Sequence, residues 1–166
     1  MKSIAALRAA QFITVYLYAL VTGVFWGTWF SLSRSIASIT PSTFLEVGHT
    51  MIRNLGVPMS LLMPTAILSN VALLVMLYRR RQMRAAGLAT AALLLLLAAL
   101  AITLTVNVPI DGEIAGWTVP TLPSDWEMVR DRWQLYHSLR TFASLLGLGC
   151  AFGSVLVAPA SLRTAA

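Results

Sequence analysis

The stretch AAGLATAALLLLLAALAITLTV, Ala85 to Val106, contains no charged side chain. As a helix it would rise about 33 Å at roughly 1.5 Å per residue, enough to cross a hydrocarbon core of about 30 Å. Three further runs share the property: Ala9–Ser33, Asn54–Tyr78 and Thr141–Leu162. The whole chain of 166 residues is 58% hydrophobic and 11% charged. Soluble domains carry about 25% charged residues, so this chain cannot cover a water-facing surface. The class that follows is an integral membrane protein.

The net charge is +6, but the placement of the charges says more than their sum. Lys2 and Arg8 precede the first run, YRRRQMR (Tyr78–Arg84) joins the second to the third, and Arg163 follows the fourth. Basic residues mark the cytoplasmic side, which puts both termini there in a cell membrane. They flank apolar runs instead of forming a basic face, so nucleic acid is not a partner. All six acids (Glu46, Asp111, Glu113, Asp125, Glu127, Asp131) and all five tryptophans (Trp26, Trp29, Trp117, Trp126, Trp133) fall toward the other side. The first run is too long for a signal peptide and lacks its cleavage pattern, so a retained helix is expected. Cys150 is the only cysteine, which excludes an intrachain disulfide and a cysteine-based zinc or iron–sulfur site.

The expected architecture is all-α: one domain over 1–166, an up-down-up-down four-helix membrane bundle with helices at about 9–33, 43–80, 85–107 and 124–160. Pro64 should kink the second helix near Ser60. Asn107 and Pro109 should end the third, leaving a structured outer loop. Ser124 and Glu127 form a capping-box pattern for the fourth. Gly149 and Gly153 are spaced for close helix packing within the bundle, and LLLLLAAL reads as lipid-facing helix.

The polar residues gather at the outer helix mouths. Along the fourth helix Trp126, Arg130, Trp133, His137 and Arg140 recur every three or four residues and form one stripe, with Arg132, Tyr136 and Arg140 beside it. Arginines and tryptophans anchor interfaces, and Arg130 and Asp131 fit that role. His137 and Arg140 lie where an ionisable group facing lipid is costly, so they are expected to point inward. The second helix offers Glu46, His49 and Arg53 on one face, an ion-pair cluster or a second wall of the same pocket. Helix one adds a softer stripe, Gln11, Thr14, Tyr18 and Thr22, suited to interhelical hydrogen bonds.

The segments NVPIDGEIAGW and RDRWQLYHSLRT resemble a family of small four-helix membrane proteins grouped with fungal anthrone oxygenases. That pattern runs Asn-x-Pro-Ile/Leu-Asn, then Trp, then Arg-Trp-x-x-x-His-x-x-Arg. It lands here on Asn107, Pro109, Trp117, Arg132, Trp133, His137 and Arg140, with Asp111 where the family usually has asparagine. The resemblance implies an oxygenase acting on a lipophilic aromatic or quinone-like substrate. An anthrone is oxidised at an acidic C–H: a base takes the proton and the resulting anion reduces dioxygen directly, so no flavin or metal is strictly required. Histidine suits the base and arginine the oxyanion partner. His137 or His49 would be the base and Arg140 or Arg53 the cation. Asn107, Asp111, Trp117, Arg132 and Trp133 would shape the substrate site. Two alternatives stay open at this point. One is a haem- or metal-binding redox protein using His49 and His137, with Glu46 nearby. The other is a non-enzymatic subunit that binds a partner or lipid, alone, as a homo-oligomer or in a larger membrane complex.

Overall fold

The computed structural model describes residues 2–158. It contains helices α1 (Lys2–Thr28), α2 (Pro41–Arg79), α3 (Met83–Ile102), α4 (Val108–Ala115) and α5 (Trp126–Leu156), and no strand among the described residues. Four helical spans are long and apolar enough to cross a membrane: Ile4–Ser38, Pro41–Arg79, Met83–Ala115 and Trp126–Leu156. The protein is a multi-pass membrane four-helix bundle. Arg163 and the expected helix end at 160 lie outside the described residues.

α2 begins where the local chemistry favours it. Thr40 Oγ1 accepts the Thr43 backbone N–H at 3.3 Å, and Pro41 occupies the first turn, where its missing donor is not needed. The helix is assigned without a break through Pro58 and Pro64. It ends in a tight turn: Arg81 takes φ 55°, and Gln82 N–H returns to the Leu77 carbonyl at 3.1 Å.

α3 packs against α5 and α2, and α1 against α5 and α2, which leaves α2 and α5 across the bundle from one another. The α3–α5 seam is built from small residues. Ala85, Ala89, Ala92 and Ala99 are buried at alternating spacings of four, three and seven, while Leu94 and Leu97 face outward. LLLLLAAL is therefore not wholly lipid-facing, since Leu96 and Ala99 are buried within it. The close approach occurs at Gly147 and at Gly153 of the expected glycine pair, where a Cβ would sit 3.5 Å from Leu88 Cδ1, but not at Gly149. A Cβ on Gly147 would sit 3.5 Å from the Ala92 carbonyl, Leu95 Cβ and Tyr18 Cε1, whereas one on Gly149 would meet nothing within 4 Å.

The helix-one stripe ties the bundle together. Thr14 and Ser69 hydroxyls lie 2.8 Å apart, Asn70 Nδ2 donates to the Tyr18 hydroxyl at 2.6 Å, and Thr22 Oγ1 donates to the Ser144 carbonyl at 3.2 Å.

Three expected boundaries move. The first helix starts earlier, at Lys2, and runs through a π-turn at Trp29–Ser33. The third does not stop at Asn107: a π-turn, Thr103–Asn107, leads into α4. Pro109 falls in the first turn of α4, where the helix needs no N–H from it. The capping box expected at Ser124 does not form, since α5 starts at Trp126 behind Asp125 with no side-chain cap. A capping box forms instead across the short 3-10 turn Val119–Thr121, between Thr118 and Thr121.

Candidate functional site

The first turns of α5 bring four side chains to the bundle interior. Arg130, Trp133, His137 and Arg140 are all buried, and the same face continues inward as Ser144, Gly147, Ala151 and Ser154. The spacing of three and four residues keeps one stripe against α1 and α3. His137 is 1% exposed and Arg140 8%.

Arg140 organises the centre. Its Nε and Nη2 lie 3.2 and 3.0 Å from His137 Nδ1, and its Nη1 donates to Thr103 Oγ1 at 3.2 Å. The guanidinium lies over the Phe25 ring, 4.7 Å from its centroid. Among the described residues no carboxylate lies within 4.0 Å of the Arg140 guanidinium, and Asp111 is the carboxylate that shares its cavity. Arginine only donates, so His137 Nδ1 must accept, and the neutral imidazole carries its proton on Nε2. Nε2 is fully buried and makes no hydrogen bond of ordinary geometry, and the ring lies against the Phe25 backbone.

Trp133 stacks on His137 with ring centroids 4.9 Å apart and planes 10° from parallel. Its Nε1–H donates to Asp111 Oδ1 at 2.8 Å. Phe25 closes the other side edge-on to His137, at 6.2 Å. The result is a chain from Asp111 on α4 through Trp133 to His137 and Arg140 on α5, with Phe25 of α1 and Thr103 of the turn after α3 against it.

These groups border a cavity of about 570 Å³. Its other walls are apolar and come largely from α1 and α2, including Phe25, Ile36, Phe44, Met51, Met59 and Met63. Asp111, His137 and Arg140 supply its ionisable groups. The cavity lies in the half of the bundle away from the Tyr78–Arg84 turn. A volume between roughly 300 and 1,000 Å³ with few polar groups is usual for a small-molecule site.

The structure redistributes the residues singled out from the sequence. Asp111, Trp133, His137 and Arg140 meet at the cavity. Asn107 is fully buried behind it, its Nδ2 donating to the Trp133 carbonyl at 3.2 Å, which ties the end of the third membrane span to α5. Trp117 packs against the apolar cluster of Ile110 and Ile114 and does not line the cavity. Arg132 is exposed, because it falls off the buried stripe. Arg130, expected at the interface, is buried instead: it pairs with Asp131 at 2.8 Å and lies 5.0 Å from the Trp126 ring centroid.

His49 and Arg53 do not form the opposite wall. His49 Nε2 is 2.9 Å from the Ile114 carbonyl, Arg53 and Glu46 are exposed, and the cavity face of α2 is apolar. His49 therefore does not line the cavity that His137 borders, and no group of three metal-ligating side chains occurs among the described residues. Phe25 and Thr103 were not singled out from the sequence. Phe25 follows Tyr18 and Thr22 along the helix-one stripe, a signal that could have found it. Thr103 meets Arg140 at the start of the π-turn.

No curated protein and no solved structure matches the chain. Residues 57–150 match the family model described as anthrone oxygenase, a span that holds Asp111, Trp133, His137 and Arg140 but not His49 or Arg53. That span is more than half of the 166 residues, and the chain belongs to the anthrone oxygenase family.

Proposed function

We propose that the protein is a membrane oxygenase that converts an anthrone-like CH2 beside an aromatic ketone system into a carbonyl with dioxygen. One observation carries the reading: Arg140 and His137, 3.0 Å apart at Nη2 and Nδ1, stand with Asp111 at the wall of a largely apolar cavity. The Arg140–His137 pair is the complement of a carbonyl oxygen. As the substrate loses its C–H proton, negative charge develops on this oxygen, where the guanidinium and the imidazole beside it stabilise it. With its Nδ1 occupied by Arg140, His137 serves as part of this electrophile and not as the base first expected.

Proton acceptance falls to Asp111, the carboxylate of the cavity wall. Its Oδ1 is held by Trp133, and its Oδ2 makes no hydrogen bond among the described residues. The resulting anion passes electrons to dioxygen and combines with it to a hydroperoxide. Loss of water from that hydroperoxide forms the new C=O bond. The balance is one CH2 group plus one O2 to one carbonyl plus one H2O, so dioxygen is the oxidant and no resident cofactor is called for. The role of the protein is orientation and charge stabilisation.

The test is oxygen uptake and quinone absorbance with anthrone in lipid nanodiscs, after subtraction of the spontaneous rate. His137→Ala should lose the enzymatic rate while its helical circular dichroism and unfolding temperature persist. A wild-type protein that adds nothing to the spontaneous rate would refute the proposal. A Soret band in the purified protein would favour the haem alternative.

A further inference from the structure

The cavity is closed unevenly. No lining residue contributed by α1 or α5 is exposed. The exposed members of the lining come from two elements only: Gly56, Ser60 and Pro64 on α2, and Leu104, Val108 and Gly112 on the span that runs from α3 into α4, with Ala115 beyond them. Each set repeats every four residues, so each is a stripe along one helix edge. The two antiparallel stripes border the same cavity and form the staggered lips of a slot, level with one another near Gly56 and Leu104. Neither lip bears a charged side chain.

The depth of the slot follows from helix geometry. At ~1.5 Å per residue, Pro64 stands about 22 Å and Gly56 about 35 Å above Arg79, and Leu104 about 32 Å above Met83. With the arginine turn at one face of a hydrocarbon layer of roughly 30 Å, the slot starts in the lipid tails and ends among the headgroups of the far leaflet. Exposure at these positions is therefore exposure to lipid, first to tails and then to the polar boundary. The cavity behind it repeats that gradient, apolar toward Met63 and ionisable at Asp111, His137 and Arg140.

We infer that this slot is a lateral mouth, through which a flat, weakly polar aromatic dissolved in the far leaflet passes from lipid directly into the cavity. The inference rests on the cavity as the substrate site but not on the oxygenase chemistry. A neutral three-ring ketone partitions to the depth of the slot, enters edge-on between the lips, and meets the His137–Arg140 pair with its oxygen.

The glycines of the lips allow a clean test. A Cβ on Gly56 or Gly112 meets no heavy atom within 4 Å, so bulk can be added there without a backbone clash. Gly87 is equally open but lies near the arginine turn, away from the cavity, and serves as control. The probe is anthraquinone, an inert ketone, in phosphatidylcholine nanodiscs, followed by stopped-flow quenching of tryptophan emission. Gly56→Phe and Gly112→Phe should each slow association about tenfold, since entry then requires the lips to part. A narrowed mouth slows association and dissociation together, whereas a distorted site would speed dissociation without slowing association. Gly87→Phe should match wild type. Unchanged association in the Gly56→Phe, Gly112→Phe double variant overturns the inference, as does a wild type that does not bind anthraquinone. Binding with a slot-dependent rate but no oxidation of anthrone would sink the oxygenase proposal and leave the mouth standing.

Discussion

Replacing Arg140 by methionine separates charge from packing. Arg140 has three short hydrogen-bond contacts, two to His137 Nδ1 and one to Thr103, and it lies on the Phe25 ring. Methionine fills much of the same length and keeps apolar contact with that ring. Loss of an oxyanion-stabilising group typically lowers kcat by about 10²–10³, or ~2.7–4 kcal/mol. Stability should respond differently. The lost hydrogen bonds contribute about 0.5–1.5 kcal/mol each. Against them stands relief of burying a guanidinium with no carboxylate within 4.0 Å, a term of several kcal/mol in the opposite direction. The two are of similar size, so net destabilisation should stay within about 2 kcal/mol, a shift of several degrees at this chain length. The assay is anthrone turnover in nanodiscs beside thermal unfolding of the same samples. A variant within threefold of wild-type turnover refutes the charge argument. A variant that loses folding and activity together refutes the claim that Arg140 is there for chemistry. Arg140→Lys should sit between the two proteins, because it keeps the charge and loses the planar fork.

Asp111→Asn keeps an acceptor for Trp133 and removes the base, so turnover should fall roughly 10²-fold while unfolding temperature holds; wild-type turnover would return proton removal to solvent. Arg53→Ala and His49→Ala should keep the wild-type kcat, since neither side chain lines the cavity; a loss of kcat in either would contradict that placement. Gly147→Ala should be tolerated, because its Cβ would sit at ordinary contact distance, whereas Gly147→Leu should destabilise by about 1–3 kcal/mol through overpacking against α3, read as a lower unfolding temperature in nanodiscs.

The bundle was legible because charge-free runs long enough to cross a bilayer have few alternatives. The stripe from Trp133 to Arg140 was legible for a related reason: helical spacing fixes which side chains share a face. Arg130 and Arg132 show where that reasoning stops. They differ by two positions, about 200° around the helix, and only the packing of α5 decides which faces inward. His49 and Arg53 repeat the spacing of His137 and Arg140 closely enough to suggest a matching wall, yet composition did not reveal that α2 would turn its methionines to the cavity. The direction of the Arg140–His137 hydrogen bond, which sets the proton on Nε2, has no sequence signature. Neither does the ladder shift that carries the third span past Pro109.

That ladder shift is also a phase setting. A π-turn holds one residue more than the α-helical turn it replaces. Returning Thr103–Asn107 to α spacing with every residue kept would rotate everything beyond it by about 100°. Asp111 would leave the wall, Trp133 would lose its acceptor, and Val108 and Gly112 would no longer border the slot. Single contacts in this turn act one at a time, whereas its hydrogen-bond register acts on all of them together. The chemistry and the entrance are thereby coupled to the ladder register of one five-residue segment.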